Sequence, residues 1–384
     1  MRTWLVIFLL VSTVFAGGCV DIGEEPGIDK EYEIVEVAQG MSSPWGITQL
    51  ENKFLITEKQ GELKAVDRNT GDKQALEGVP EVDGSGQGGL LDVEIHPDFS
   101  DNELVYLTYS ANNEDSSATH LGRGELNLER GKIDGFEVLH VAEPFKESGS
   151  HYGSRVVFDE DGYLYFTIGD RGEKDFGEDH VSQNTSNELG ATLRLEDDGS
   201  IPEDNPFVNK SGIKESIYSY GHRNVQGMTV HPETGEIWQS EHGEEDGDEI
   251  NIAEPGNYGW PVTHTGCEYG TDQPVAEDPQ DNPDVKDPVY YWECGTGGFP
   301  PAGITFYTGE AFPDWEGDLL VGNLAGQYLG SFEVNGTEVQ EKEPLLEQQD
   351  WRVRDVEVEE DTGYIYILID EDDAPLVRLE PRNN

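Results

Sequence analysis

Basic residues are scarce: 24 Lys and Arg stand against 80 Asp and Glu in 384 residues, a formal net charge of −56. That imbalance excludes nucleic acid as a partner, because a polyanion is repelled at every approach, and it disfavours anionic membrane surfaces for the same reason. Cysteine is also scarce. The three present, Cys19, Cys267 and Cys294, have no CxxC spacing, which excludes a zinc site built on such pairs. Long apolar runs are missing; the run from Trp4 to Phe15 is too short to span a bilayer. Helical periodicity over 10 to 15 residues is almost absent, "VSQNTSNELGATLRL" coming nearest, so a parallel α/β fold is excluded.

What is there begins with aromatics. Seven Trp, 16 Tyr and 14 Phe are more than a disordered chain carries, so the protein folds. Its acids are spread in blocks such as "EHGEEDGDE" rather than gathered in a tail. Such a surface suits a salt-rich medium, where repulsion between carboxylates is screened within ~3 Å at 1 M, and a halophilic origin is expected.

The first residues read as an exported leader: one Arg, the short apolar run, then Ala16, Gly17 and Gly18 before Cys19. Small residues directly before a Cys resemble a lipobox. The expected organisation is therefore a lipoprotein-type signal peptide over 1–18, a lipid on Cys19, a polar tether over 19–33 and one domain over 34–384. Ordinary cleavage nearby, with Cys19 free, is the alternative. With Cys19 set aside, Cys267 and Cys294 remain as a pair. Export favours a disulfide closing a 27-residue loop, two separate buried thiols being the other reading.

One pattern recurs six times: an alternating apolar run, a polar turn with Gly, Asp or Asn, and a second β-rich run. Copies begin at Trp45, Asp92, Arg155, Gly227, Gly303 and Asp355. Alternation of Val, Ile, Tyr, Phe and Thr argues half-buried strands, and the Asp-Gly, Thr-Gly and Asp-Asn pairs between runs are hairpin turn chemistry. The fold class is therefore all-β, a six-bladed β-propeller. The longest insertion, from Gly266 to Pro301, carries both paired cysteines, and long loops on a rigid scaffold are where sites sit.

Several polar groups stand where these strands begin or end. His151, in "GSHYGSRVVF", precedes the third copy; it suits proton abstraction near neutral pH, or else structural hydrogen bonding. Asp170 ends the same hairpin and could orient that imidazole, or cap the turn before Gly172. "GHRNVQG" sets Arg223, Asn224 and Gln226 beside a strand start, a fork for carboxylates with two amides. Arg352 and Arg354 in "DWRVRDV" face one side of a strand at i, i+2, which is wasteful unless an anion lies between them. "SEHGEEDGDEINIAEPGNYGWP" is dense in oxygen donors of the kind calcium takes, without the EF-hand spacing.

Together these segments resemble the pyrroloquinoline quinone (PQQ)-dependent sugar dehydrogenases, the soluble quinoprotein glucose dehydrogenases and especially the aldose sugar dehydrogenases. The likeness runs from about Trp45 to Pro381 through "GQGGLLDVEIHPDF", "HYGSRVVFDEDGYLYFTIGDRG", "LGATLRLEDDGSIPEDNPF", "GHRNVQGM" and "WRVRDV". It implies a six-bladed propeller, PQQ and calcium as cofactors, and oxidation of an aldose at C1 to the lactone, with electrons passed on to an unidentified acceptor. His151 falls on the general base, with Asp170 as its partner. Cofactor contacts fall on Gln87, Arg223, Asn224, Gln226, Arg352 and Arg354, with Tyr269 at the cofactor or substrate. Calcium at the quinone falls on the backbone carbonyls of Gly243 and Glu244, and a separate structural calcium on Glu249 and Tyr258.

Two departures stand out. Ala325, in "GNLAGQ", lies at or beside a position where some members place a quinone-contacting Lys, and Glu244 replaces a Pro. Two rival readings keep the propeller but not the chemistry: a calcium-dependent lactonase-type hydrolase, and a noncatalytic extracellular binding module. The paired arginines speak against the first. The joint presence of His151, Gln87, Arg223 and both strand arginines speaks against the second. On all readings the protein sits at the extracellular face of the membrane or is secreted, touching the membrane only through its anchor.

Overall fold

The computed structural model describes residues 32–382. The expected leader and Cys19 lie outside the described residues. The last two positions of the expected tether, 32 and 33, already belong to the first strand, Tyr32–Ser42.

Six sheets follow one another along the chain, antiparallel except where the short strand Gly256–Asn257 adds to the third sheet in parallel, and each copy of the sequence repeat supplies the first two strands of one sheet. The first strands are Pro44–Leu50, Leu90–Ile95, Val156–Phe158, Val225–Val230, Pro301–Phe306 and Val353–Val358. Each contacts the first strand of the next sheet, and the last contacts the first, so the six form a closed ring around an axis. The sixth sheet is completed by the opposite end of the chain. Strand Tyr32–Ser42 pairs with Asp372–Pro381, which ties the two ends together and leaves the ring without an open seam.

Second strands such as Leu164–Ile168, Leu319–Asn323 and Ile365–Ile369 are buried at every position, because each blade is covered on both faces by its neighbours. Outer strands such as Glu338–Glu341 are half solvated, which is where the alternation is clearest. Aromatic pairs bridge adjacent blades: Phe54 with Tyr366 at 4.4 Å, Tyr106 with Phe158 at 4.9 Å and Trp238 with Phe306 at 5.4 Å between ring centroids.

Asp-Gly and Thr-Gly turns form as the sequence suggests, with Gly162, Gly235 and Gly363 at positive φ. The Asp101-Asn102 pair instead sits in a single helical turn, Phe99–Asn102. The one candidate helical stretch becomes a short 3-10 turn at Val181–Gln183 and a strand at Ala191–Leu195, because Leu193 and Leu195 are needed in the core between blades.

A buried ion triad pins three inner strands. Arg155 donates to Asp92 at 3.0 Å, to Asp355 at 2.8 Å and, through Nε, to the Gln226 carbonyl at 3.1 Å. The equivalent positions in the three other blades are glycines, Gly46, Gly227 and Gly303, for a steric reason. A Cβ on Gly303 would lie 1.6 Å from Asp355 Oδ1, and one on Gly46 would lie 2.6 Å from Asp92 Oδ1.

Candidate active site

In an antiparallel hairpin the start of the first strand and the end of the second lie at the same end. Repeated six times, that places Gln87, His151, Asp170, Arg223, Glu244, Arg352 and Asp370 around one mouth of the axis, although they span 283 residues of sequence from Gln87 to Asp370.

His151 and Asp170 are in contact: Nδ1 lies 2.6 Å from Oδ1 of the buried carboxylate. The same Oδ1 accepts the Gly172 amide at 2.7 Å, so the residue caps its turn and holds the imidazole at once. Oδ2 accepts the indole N–H of Trp260 at 2.9 Å. Burial pushes the Asp170 carboxyl up, but the His151 ring and the Arg223 charge outweigh it and hold it below the usual carboxylate value. With Nδ1 donating to this carboxylate, Nε2 is left to accept a proton.

The loops that carry His151 and Asp170 are strained and over-determined. His151 and Ser154 in the first and Arg171 in the second have positive φ, at 48°, 86° and 60°. Gln87 Oε1 accepts the His151 amide at 2.7 Å, and Asn224 Oδ1 accepts the Gly153 amide at 3.1 Å. Gln87 and Asn224 therefore hold the His151 loop, a positioning role that sequence spacing alone did not reveal.

Arg223 is buried beside this pair. Its guanidinium carbon lies 5.3 Å from the Trp260 ring centre, and Nη2 donates to Glu244 at 2.7 Å. The other oxygen of Glu244 takes the Lys174 ammonium, which in turn lies 5.3 Å from the ring centre of the exposed Tyr269. Arg223, Glu244 and Tyr269 are thus brought together, and Lys174 joins them from the loop after Asp170. A lysine four residues beyond "IGD" in so acidic a chain was the available signal for it.

The paired arginines have their anion. Oδ2 of Asp370, at the end of strand Ile365–Ile369, accepts from Arg354 at 2.6 Å and from Arg352 at 3.2 Å. Burial pushes the Asp370 carboxyl up, and the two guanidiniums outweigh it and hold it low. Arg354 also donates to Gln226 Oε1 at 2.9 Å and faces the Trp45 ring at 5.8 Å. Ala325 follows strand Leu319–Asn323 in an exposed turn, where Arg352 donates to the neighbouring Leu324 carbonyl at 3.1 Å.

Glu249 faces Glu241 directly across an antiparallel pair. Burial and the Glu241 charge push the Glu249 carboxyl well above its usual value. Both line a small cavity with His264, Thr263 and Tyr258. The Tyr258 hydroxyl is engaged elsewhere, donating to the Ile252 carbonyl at 2.5 Å and accepting the Glu254 amide at 2.8 Å, so only its backbone is left for a ligand. Gly243 is fixed by its amide on Asp248 Oδ1 at 3.0 Å.

Cys267 and Cys294 are joined by a disulfide that ties the two arms of the long insertion carrying Tyr269. Cys267 also pairs through its backbone with Glu245, anchoring the insertion to the loop after strand Ile237–Glu241.

The family model described as Glucose / Sorbosone dehydrogenase matches residues 41–378. The chain is 37% identical over 355 residues to the aldose sugar dehydrogenase YliI of Escherichia coli, covering 91% of this chain and 93% of that one. Among solved structures, the soluble aldose sugar dehydrogenase of E. coli in its apo form superposes with a TM-score of 0.85 at 35% identity, over 91% of this chain and all of that one. The PQQ-bound aldose sugar dehydrogenase of Streptomyces coelicolor superposes with a TM-score of 0.74 at 26% identity, over 91% and 98%.

Proposed function

The chain belongs to the glucose/sorbosone dehydrogenase family, a sugar-oxidising enzyme, and on that premise we propose that it oxidises aldoses at C1 to lactones with PQQ and calcium. The observation that carries the reading is the His151–Asp170 contact at the mouth where the strand-end arginines gather.

The donor set suits a ligand with three carboxylates. Arg223, Arg352 and Arg354 border this mouth, and Arg223 Nε and Arg354 Nε are buried with no hydrogen-bond partner, donors that an acceptor-rich ligand would satisfy. Gln226 and Tyr269 complete the contacts. Calcium at the quinone is assigned to the carbonyls of Gly243 and Glu244, and a structural calcium to Glu249 and the backbone of Tyr258. When bound, the quinone supplies the hydride acceptor and calcium a Lewis acid.

His151 takes the C1 hydroxyl proton on Nε2 as the C1 hydrogen leaves with its electron pair, and the sugar becomes the lactone. Asp170 fixes the imidazole tautomer and stabilises the imidazolium that forms. Gln87 and Asn224 hold the loop that aims the ring. The insertion around Tyr269 shapes the sugar pocket. Electrons then pass to an acceptor outside the chain.

The lipid on Cys19, the extracellular location and the salt-rich habitat belong to the same proposal, supported by the leader sequence and the net charge of −56. The chemistry is tested by titrating the metal-free apo-protein with PQQ, with and without calcium, in molar salt, and then adding a panel of aldoses. Saturable quinone binding followed by sugar-dependent bleaching supports the proposal; a folded protein that binds no PQQ overturns it.

A further inference from the structure

Glu244 is the acidic residue at which the sequence departs from the resemblance, and its side chain occupies a decisive place. The carboxylate is buried, 5% exposed, between Arg223 Nη2 at 2.7 Å and the Lys174 ammonium. Other acids of the same loop serve the backbone: Glu245 accepts the Gly270 amide, Asp246 the Gly295 amide, and Asp248 the Gly243 and Phe299 amides. Glu244 instead grips two cationic side chains. Its own amide donates to His264 Nε2 at 3.3 Å, so its backbone is held independently of where the carboxylate points.

An arginine already neutralised by an internal carboxylate offers little to an incoming one. Arg223 is 6% exposed, and leaving it or Glu244 unpaired at this burial is costly, so the carboxylate exchanges partners rather than simply letting go. The residue that bears this carboxylate is the one whose carbonyl is assigned to calcium above, so a cation is the partner it would exchange to.

We propose that Glu244 is an exchangeable internal anion: it neutralises Arg223 in the absence of metal, and turns to calcium when the metal binds, freeing Arg223 for a carboxylate of the quinone. This rests on the quinone and calcium reading above. Lys174 stays at the mouth as the second cation, a positive charge supplied from the loop after Asp170 where Ala325 supplies none. The consequence is positive coupling between metal and quinone, carried by one side chain and equal in both directions by linkage.

The test is calorimetric titration of the full apo-protein with PQQ, with and without calcium, and with calcium alone, at one fixed salt concentration. In the wild type, calcium should tighten PQQ binding about tenfold or more, and PQQ should tighten calcium binding by the same factor. Glu244→Gln should bind PQQ more tightly than wild type without calcium, bind calcium alone more weakly, and lose most of the coupling. Lys174→Gln, at a half-exposed site that tolerates substitution, should bind calcium alone more tightly, because Glu244 is then held by one cation fewer. Wild-type-like coupling in Glu244→Gln, weakened metal-free PQQ binding in that variant, or unchanged or weaker calcium binding in Lys174→Gln overturns the proposal while leaving the cofactor reading intact. Absence of PQQ binding by the calcium-loaded wild type overturns both.

Discussion

The indole nitrogen of Trp260 donates to Oδ2 of Asp170 at 2.9 Å, on the oxygen that His151 leaves free. The carboxylate is thereby held at both ends, and the imidazole is aimed by a residue 109 positions away in sequence. The same ring lies against Arg223 and edge-on to His264 at 4.8 Å, so Trp260 joins the His151–Asp170 pair to the cationic side of the mouth. Its one side-chain hydrogen bond goes to Asp170, so it acts on His151 through that carboxylate, as a positioning residue.

Trp260→Phe keeps the ring and removes the donor. Losing that hydrogen bond leaves the carboxylate more basic and less firmly oriented, so kcat should fall about tenfold, as for other groups that orient an imidazole. The loss should fall on kcat, with KM for the aldose nearly unchanged. An unchanged kcat in a stably folded variant would show that the bond is only structural.

Arg155 lies between Asp92 and Asp355 with all three side chains buried. Arg155→Met removes the one cation and leaves two buried carboxylates facing each other. A loss of about 3–5 kcal/mol in denaturant unfolding at pH 7 is expected. A loss under about 1 kcal/mol would contradict the triad's structural role.

At the opposite mouth of the axis, Thr48, Glu94, Thr229, Thr305 and Glu357 line a cavity of about 510 Å³. Burial and the nearby Asp92 push the Glu94 carboxyl up from its ordinary 4.5 to about 8. Between those values the folded protein holds a proton that the unfolded chain has lost, so this group makes stability fall as pH rises through the window. Glu94→Gln should therefore unfold at a higher temperature than wild type at pH 8, the difference shrinking toward pH 5. Equal differences at both pH values in thermal melts would refute it.

Much of this architecture was legible because the repeat is a packing rule. Runs such as "YLYFTI" and "YIYILI" recur where a blade's second strand is covered on both faces, so six copies imply six blades and one axis. The pairing of strand Tyr32–Ser42 with the chain's far end was not legible, since that segment carries no second run of its own. At the site, His151, Asp170 and the arginines stood out because they flank strands. Trp260, Lys174 and Asp370 did not, because their meaning lies in partners 90, 70 and 16 residues away, set by blade geometry rather than local spacing. The Asp-Asn pair misled for the opposite reason: Asn102 bonds locally, its side chain accepting the Leu104 amide at 3.0 Å, and closes a helical turn instead of a tight hairpin.

Turnover by this site requires His151 as its base. The decisive measurement is the single-turnover bleaching of calcium-loaded, PQQ-reconstituted His151→Ala by a saturating aldose, beside the wild type. PQQ affinity should be retained within a few fold, while the bleaching rate falls by about 10²–10⁴, the range that a positioned general base contributes. Bleaching at the wild-type rate with PQQ bound would contradict the assignment of His151 as the base.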